Sequence, residues 1–130
     1  MNTPKTGDRG NSKPTIFVVD DEPMLLDMAA AILEPLGFEV RKFRDPRKAL
    51  EEIPAARPVV IVTDYSMGPM NGVDFVSECK RSNPAQKMLL VSGTVDETVY
   101  ADSPFKPDRF LAKPYAVADF VGIIESLSKA

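Results

Sequence analysis

Three aspartates follow two apolar runs of the sequence and could do chemistry together. Asp20 and Asp21 follow the run at 15–19, and Asp64 follows the run at 59–63. Continuous apolar runs of this length are typical of buried parallel strands. If the two strands are neighbours, three carboxylates meet at one edge of the sheet. At a spacing of about 5 Å each pair repels by roughly 3 kcal/mol at an effective dielectric constant near 20, so we expect a bound cation or protonation of one acid.

The chemistry of these donors favours Mg²⁺, with Mn²⁺ as a substitute. An all-oxygen set that leaves room for water and phosphate suits Mg²⁺ better than zinc. A purely structural interpretation is also open, in which Asp20 and Asp21 cap the helix that begins near Pro23. Asp64, at the end of a second apolar run, favours the metal site.

A hydroxyl and a lysine follow two later predicted strands. Ser92 could bond a phosphoryl oxygen, or it could cap the next helix. Lys113 follows the strand at 110–112 and would place a compact positive charge opposite the acids. Lys106 also precedes a proline, but no strand precedes it. Lys113 is therefore the better candidate.

Apolar runs and amphipathic segments alternate along the whole chain. Strands are predicted at 15–19, 38–43, 59–63, 88–91 and 110–112. Helices are predicted from Pro23 to the stop signal at Gly37, from Pro46, and at 72–81, 96–101 and 116–127. The expected apolar stripe of the first helix is Leu25, Met28, Ala29, Ile32, Leu33 and Leu36. Strict alternation predicts an α/β doubly wound fold, a parallel sheet with helices on both faces, whose ligands bind at the carboxyl ends of the strands.

Composition limits the class of protein. The 130 residues fit one domain, and the net charge of -3 argues against direct nucleic acid binding. There is one cysteine, which fits a reducing compartment, and there is no histidine, so a histidine-dependent step needs another protein. No apolar run approaches the roughly 18 residues of a membrane span. We expect a disordered leader over residues 1–14 and a cytoplasmic location.

Four motifs resemble the response-regulator receiver family in order and spacing. They are VVDDEP at 18–23, DYSMGPMNG at 64–72, VSG at 91–93 and FLAKP at 110–114. The resemblance implies a receiver domain over residues 15–130, acting as a single-domain response regulator of the chemotaxis type. It also implies a flavodoxin-like three-layer fold, with five parallel strands in the order 2-1-3-4-5 and five helices.

The resemblance gives each motif residue a role. Asp64 corresponds to the phosphoacceptor. Asp21 would ligate Mg²⁺ directly, Asp20 largely through water, and the backbone carbonyl of Ser66 would be a further ligand together with Asp64. Lys113 would pair with the acyl phosphate.

Further roles concern switching and phosphate lifetime. Ser92 corresponds to the switch hydroxyl, and Phe110 to the aromatic residue that turns inward with it. Ser66 and Thr94 lie where the family tunes how fast the phosphate is lost. The Lys113–Pro114 peptide bond is expected to be cis.

The implied function is that of a phosphoacceptor in a two-component system or phosphorelay, not a turnover enzyme. Mg²⁺-dependent transfer from a histidine kinase or histidine phosphotransfer protein would switch a face made by the fourth helix, fifth strand and fifth helix. The protein would be a monomer or a phosphorylation-dependent dimer, acting on a downstream protein that the sequence does not identify. The alternatives are a receiver-like interaction module that works without phosphorylation and, less favoured, an aspartyl-nucleophile phosphohydrolase.

Two segments depart from the family pattern. Gly68 and Pro69 stand where the family more often has proline followed by a small residue. Pro104 and Pro107 interrupt the segment at 94–108, so we expect its helix to be short.

Overall fold

The computed structural model describes residues 13–130. The leader expected at 1–14 therefore lies almost entirely outside the described residues, and the first strand begins at Thr15. Between Lys13 and Ala130, no helix has both the length and the apolar character needed to cross a membrane.

Five parallel strands form one sheet. They are β1 (Thr15–Val19), β2 (Glu39–Phe43), β3 (Val60–Asp64), β4 (Lys87–Ser92) and β5 (Arg109–Ala112). Their order across the sheet is β2-β1-β3-β4-β5, which confirms the predicted 2-1-3-4-5 arrangement. The apolar runs form the central strands β1, β3 and β4, and the more polar β2 lies at one edge.

Four α-helices cover the two faces of the sheet. They are α1 (Pro23–Leu33), α2 (Pro46–Ala56), α3 (Gly72–Ser82) and α4 (Val117–Ser128). Prolines at the first positions of α1 and α2 fit helix starts, because those positions need no backbone donor. A 3₁₀ turn at Glu34–Leu36 extends α1, and Gly37 ends it with φ of 100°.

Side chains alternate between two apolar layers. Val18 and Val62 point toward α1 and α4, whereas Phe17 and Ile61 point toward α2 and α3. This is the three-layer architecture expected from the alternating sequence.

The fourth predicted helix, at 96–101, is wrong as an α-helix. The segment forms only a 3₁₀ turn at Glu97–Tyr100, whose start is capped by the side chain of Asp96. Pro104 and Pro107 prevent a longer helix, because proline lacks a donor and disfavours a helical residue before it. The described part of the chain therefore has four α-helices, although its fold class is the predicted one.

A partly buried ion pair anchors this irregular segment. The Lys80 ammonium lies 2.9 Å from the Asp108 carboxylate, and the same oxygen accepts the amide hydrogen of Met88 at 2.8 Å. The pair ties α3 to the beginning of β5. The ion pair thus holds the C-terminal end of the segment between β4 and β5, which has no α-helix of its own.

The predicted apolar stripe of α1 is only partly correct. The residues that pack on the sheet are Leu26, Ala29, Ala30 and Leu33. Met28 and Leu36 are instead 52% and 46% exposed. The buried face of α1 is therefore rotated toward Leu26 and Ala30, whereas Leu25, Met28 and Ile32 border the gap beside α4.

Candidate functional site

The register of the sheet brings the predicted site residues to one edge. Val19 of β1 pairs with Thr63 of β3, so Asp20 lies beside Asp64. Ser92 pairs with Ala112 across β4 and β5, and the amide of Lys113 donates to the Ser92 carbonyl at 2.9 Å. Neighbouring parallel strands thus deliver two acids, a hydroxyl and a lysine to the same rim.

Asp20, Asp21 and Asp64 form a three-carboxylate cluster. One oxygen from each lies within 4.8 Å of the others. Asp20 is buried, Asp64 is half-buried and Asp21 is exposed. The oxygen donors, their spacing and the open side at Asp21 fit a hard cation that keeps part of its water, as Mg²⁺ does.

Lys113 bridges two of these acids. Its ammonium lies 2.9 Å from the Asp64 carboxylate and 3.4 Å from the Asp20 carboxylate. Burial opposes the charge on this lysine, but the hydrogen bonds and charges of Asp64 and Asp20 together raise its pKa above the ordinary value. Lys113 therefore stays cationic at neutral pH. Lys106, the competing lysine, instead donates to the carbonyl of Ser103.

Asp20 also takes part in the start of α1. One of its carboxylate oxygens accepts the Glu22 amide hydrogen at 3.0 Å, whereas the other faces Lys113. The helix itself has Glu22 at its N-cap without a side-chain cap bond. Asp20 and Asp21 therefore do not cap α1 as the structural interpretation predicted; one Asp20 oxygen orders the turn before the helix, and the other faces Lys113.

The charge on Asp20 is costly in the folded protein. Burial raises the pKa of Asp20 above 3.8; the Glu22 amide and Lys113 lower it in part, and Asp64 adds to the increase. A carboxyl group whose pKa is higher in the folded state loses stabilising free energy as pH rises from its unfolded pKa through its folded pKa. At neutral pH without a metal, this cost is fully present.

We therefore expect Asp20→Asn to stabilise the metal-free protein at neutral pH, by up to about 1 kcal/mol. Urea unfolding with a chelator present measures this, and Asp74→Asn on the exposed first turn of α3 is the control. A variant less stable than the wild type would contradict the expected cost. With Mg²⁺ present the order should reverse, because the variant loses a candidate ligand.

Ser92 is buried, with 2% of its surface exposed, and its hydroxyl is already engaged. The oxygen accepts the amide hydrogens of Thr94 and Val95, each at 3.1 Å. It also lies 3.4 Å from the Thr94 hydroxyl oxygen. Ser92 therefore organises the loop after β4, while the cap of the next turn comes from Asp96.

The loop after Asp64 is held closely against β3 and β4. Tyr65 donates its amide hydrogen to the Val91 carbonyl at 3.0 Å, and Gly72 donates to the Tyr65 carbonyl at 2.8 Å. Gly68 has φ of 85°, a conformation that proline cannot adopt and that favours glycine. The reversed Gly-Pro order therefore has a local cause, and the loop stays compact, with Met67 buried beneath it.

Gly72 has a role that sequence reasoning missed. A Cβ atom at this position would lie 2.5 Å from the Asp64 carbonyl oxygen and 2.6 Å from a Leu90 methyl carbon. The Asn-Gly pair was recognisable as a turn signal. The close contact of Gly72 with the backbone of Asp64 depends on how α3 packs against the sheet, which could not be predicted from the sequence.

The remaining site residues lie around this cluster. Phe110 is half-buried, and its ring centre is 6.5 Å from that of Tyr100. Ser66 and Thr94 are exposed on the loops that follow β3 and β4. The Lys113–Pro114 peptide bond is cis. The switching role of Phe110, the Ser66 carbonyl as a ligand and the lifetime roles of Ser66 and Thr94 stay predictions.

Comparison with protein families gives one match that covers most of the chain. The sequence model of the response regulator receiver domain matches residues 16–125. Among curated proteins, the nitrogen assimilation regulatory protein NtrX of Azorhizobium caulinodans is 34% identical over 85% of this chain and 25% of its own length. The transcriptional regulatory protein PrrA of Mycobacterium leprae is 31% identical over 92% of this chain and 52% of its own length.

A shorter relative matches over nearly its whole length. The chemotaxis protein CheY of Thermotoga maritima is 24% identical over 88% of this chain and 97% of its own length. The chain spans about half or less of the regulators NtrX and PrrA. A solved CheY-like receiver domain from Methanospirillum hungatei has a TM-score of 0.83 at 23% identity, covering 91% of this chain and 95% of that one, which supports the fold.

Proposed function

The chain belongs to the response regulator receiver domain family, and from this premise we propose that Asp64 accepts a phosphoryl group from a partner's phosphohistidine. The observation that carries the proposal is the ion pair of 2.9 Å between Lys113 and Asp64 beside the three-carboxylate cluster. A nucleophilic carboxylate, a neighbouring cation and further acids for a metal are the parts that phosphoryl transfer needs.

The residues at this rim fit a bound Mg²⁺. Asp20, Asp21 and Asp64 would hold it, with the Ser66 carbonyl as a further ligand, and Mn²⁺ could replace it. When bound, the ion supplies neutralisation of negative charge during transfer. The other contributions to phosphoryl transfer come from the protein's own side chains.

In the proposed reaction an Asp64 carboxylate oxygen forms a bond to phosphorus, and the bond from phosphorus to the partner's imidazole nitrogen breaks. The imidazole leaves with the electron pair of that bond. Lys113 stays cationic and pairs with the new acyl phosphate, whose oxygens bear more charge than the carboxylate did. Positioning and charge account for the rate, since the donor bond is already reactive.

The proposal includes a switch that follows transfer. The Ser92 hydroxyl would leave its bonds to the amides of Thr94 and Val95 and bond the phosphoryl group, and Phe110 would turn inward with it. The responding surface would consist of the 3₁₀ turn at Glu97–Tyr100, β5 and α4, because this turn is the longest helical element between β4 and β5. Water would end the signal slowly, with Ser66 and Thr94 influencing the rate.

The partners follow from the same proposal. The phosphodonor would be a histidine kinase or a histidine phosphotransfer protein, because the chain contains no histidine. We further propose a cytoplasmic protein that signals through a downstream protein target, without steady turnover of a substrate. Its net charge of -3 gives no support for direct nucleic acid binding.

The test is phosphorylation by a small-molecule donor. Incubation with phosphoramidate and Mg²⁺ should add one phosphoryl group to the chain, as measured by intact mass. A chelator should slow this gain at least about tenfold, because the carboxylates would then face the anionic donor without neutralisation. Equal rates with and without the metal, or steady hydrolysis of an unrelated phosphate ester, would contradict the proposal.

A further inference from the structure

A cavity of about 370 Å³ lies between α1 and α4 and reaches the carboxylate cluster. Its floor is formed by β1, β3 and β4, and its inner end by Asp20, Asp64 and Lys113. Its volume is within the usual range of small-molecule sites, which begins near 300 Å³. On α1 it is lined by Leu25, Met28, Ala29 and Ile32.

The walls of the cavity are almost entirely apolar. Leu25 and Ile32 line the side formed by α1, and Phe120 lines the side formed by α4. Tyr115 stacks on Phe120 with ring centres 5.2 Å apart, which gives this side a flat aromatic surface. Burial raises the pKa of Tyr115, so its phenol stays uncharged at neutral pH. An elongated apolar body would bury carbon against these walls.

The charged end of the cavity determines which polar group of a ligand could bind there. Asp20 and Asp64 carry two negative charges, and among residues 13–130 the lining of the cavity includes one cation, Lys113, which is already shared between them. The lining therefore has a net charge of -1, and Asp21 lies within 4.8 Å of both acids. An anionic head would meet unneutralised carboxylates, whereas an ammonium group would find acceptors.

We propose that this cavity binds a small organic cation, a primary amine whose apolar body has roughly ten non-hydrogen atoms. The size follows from the volume, since each water occupies about 30 Å³ of liquid and the cavity would hold roughly a dozen. The ammonium would bond Asp20 and Asp64, and the body would lie between Leu25 and Phe120.

Such a ligand would be antagonistic to a divalent cation at the same acids. Two cations that use Asp20 and Asp64 cannot both be accommodated, so each weakens the binding of the other. An amine in the cavity would therefore regulate the receiver by keeping Asp64 from phosphorylation. This consequence rests on the proposed function, but binding of the amine does not.

Binding is tested with 3-phenylpropylamine, followed by NMR of the isotope-labelled chain without divalent cations. The same body with a hydroxyl or a carboxylate head, and ethylamine with the charge but no body, are the comparison probes. The amine should bind at least about tenfold more tightly than each of the other three, and Mg²⁺ should weaken it. Equal binding of the carboxylate, no binding of the amine, or shifts remote from α1 and α4 would overturn the proposal.

Two variants locate the site. Ala29→Leu fills the cavity and should weaken binding of the amine at least about tenfold, with circular dichroism as the check on folding. Met28→Lys places a cation at the lining where the side chain is 52% exposed, and it should weaken binding even if the first variant does not fold. Met24→Lys, on the same helix but outside the lining, is the matched control and should bind as the wild type does.

The two proposals fail separately. If the amine does not bind but phosphoramidate phosphorylates Asp64, only the cavity proposal is overturned. If the amine binds and no phosphorylation occurs, the cavity proposal stands and the proposed function does not.

Discussion

Asp64→Asn is expected to abolish phosphorylation by phosphoramidate, with incorporation falling at least about a hundredfold. Asparagine keeps the shape of the side chain but lacks the carboxylate nucleophile and the charge that pairs with Lys113. The loss should appear in the intact mass of the chain after incubation with the donor and Mg²⁺. The variant should fold, because it relieves repulsion within the carboxylate cluster.

Asp74→Asn is the matched control for this loss. Asp74 lies on the exposed first turn of α3, outside the carboxylate cluster, and its substitution should leave the rate unchanged. Phosphorylation of the Asp64 variant at the wild-type rate would assign the acceptor to another residue. Equal loss in both variants would mean that the effect is not specific to the site.

Gly72→Ala is expected to destabilise the protein by roughly 3 kcal/mol. The added methyl group would lie 2.5 Å from the Asp64 carbonyl oxygen and 2.9 Å from the Tyr65 Cα, so the backbone itself must shift. The shift would act on the end of β3 at Asp64, the proposed phosphoacceptor, and on the loop that follows it. We therefore expect both a lower midpoint of urea unfolding and slower phosphorylation.

Gly122→Ala provides the comparison within α4. A methyl group at Gly122 meets no atom of residues 13–130 within 4 Å, and alanine is the better helix former by up to about 1 kcal/mol. This variant should be as stable as the wild type or more so, with an unchanged phosphorylation rate. Equal stability of the two variants would show that the contact at Gly72 can relax, against the expectation.

The strands and the convergence of the site residues could be predicted because they depend on local patterns. The apolar runs before Asp20 and Asp64 mark buried strands, and the carboxyl ends of parallel strands share one edge of the sheet. Lys113 could be preferred over Lys106 because a strand precedes it. The distances among these groups follow from the register of the strands, which short apolar runs do not determine.

In the segment after Ser92, sequence patterns predicted the local structure less well. A short helix was predicted at 96–101 from a thin apolar face, but the prolines that follow leave too little chain even for a short α-helix. The fixed end of the segment depends on the ion pair between Lys80 and Asp108, which joins residues 28 positions apart. Contacts over such distances are not visible in a local pattern.

The orientation of α1 on the sheet also depends on contacts between distant parts of the chain. Several apolar residues on its surface are compatible with more than one buried face, and the face that packs on the sheet has Leu26, Ala29, Ala30 and Leu33. Leu25, Met28 and Ile32 then line the cavity beside α4. When apolar residues cover a wide arc of a helix, the sequence predicts that the helix forms but not which of its faces packs on the sheet.

The most direct test of the central claim locates the phosphoryl group on the chain. Borohydride reduction of the phosphorylated protein converts an aspartyl phosphate into homoserine, which peptide mass spectrometry assigns to a position. The account predicts homoserine at position 64 after incubation with phosphoramidate and Mg²⁺, and none when the donor is omitted. Homoserine at Asp20, Asp21 or any other position, with Asp64 intact, would contradict it.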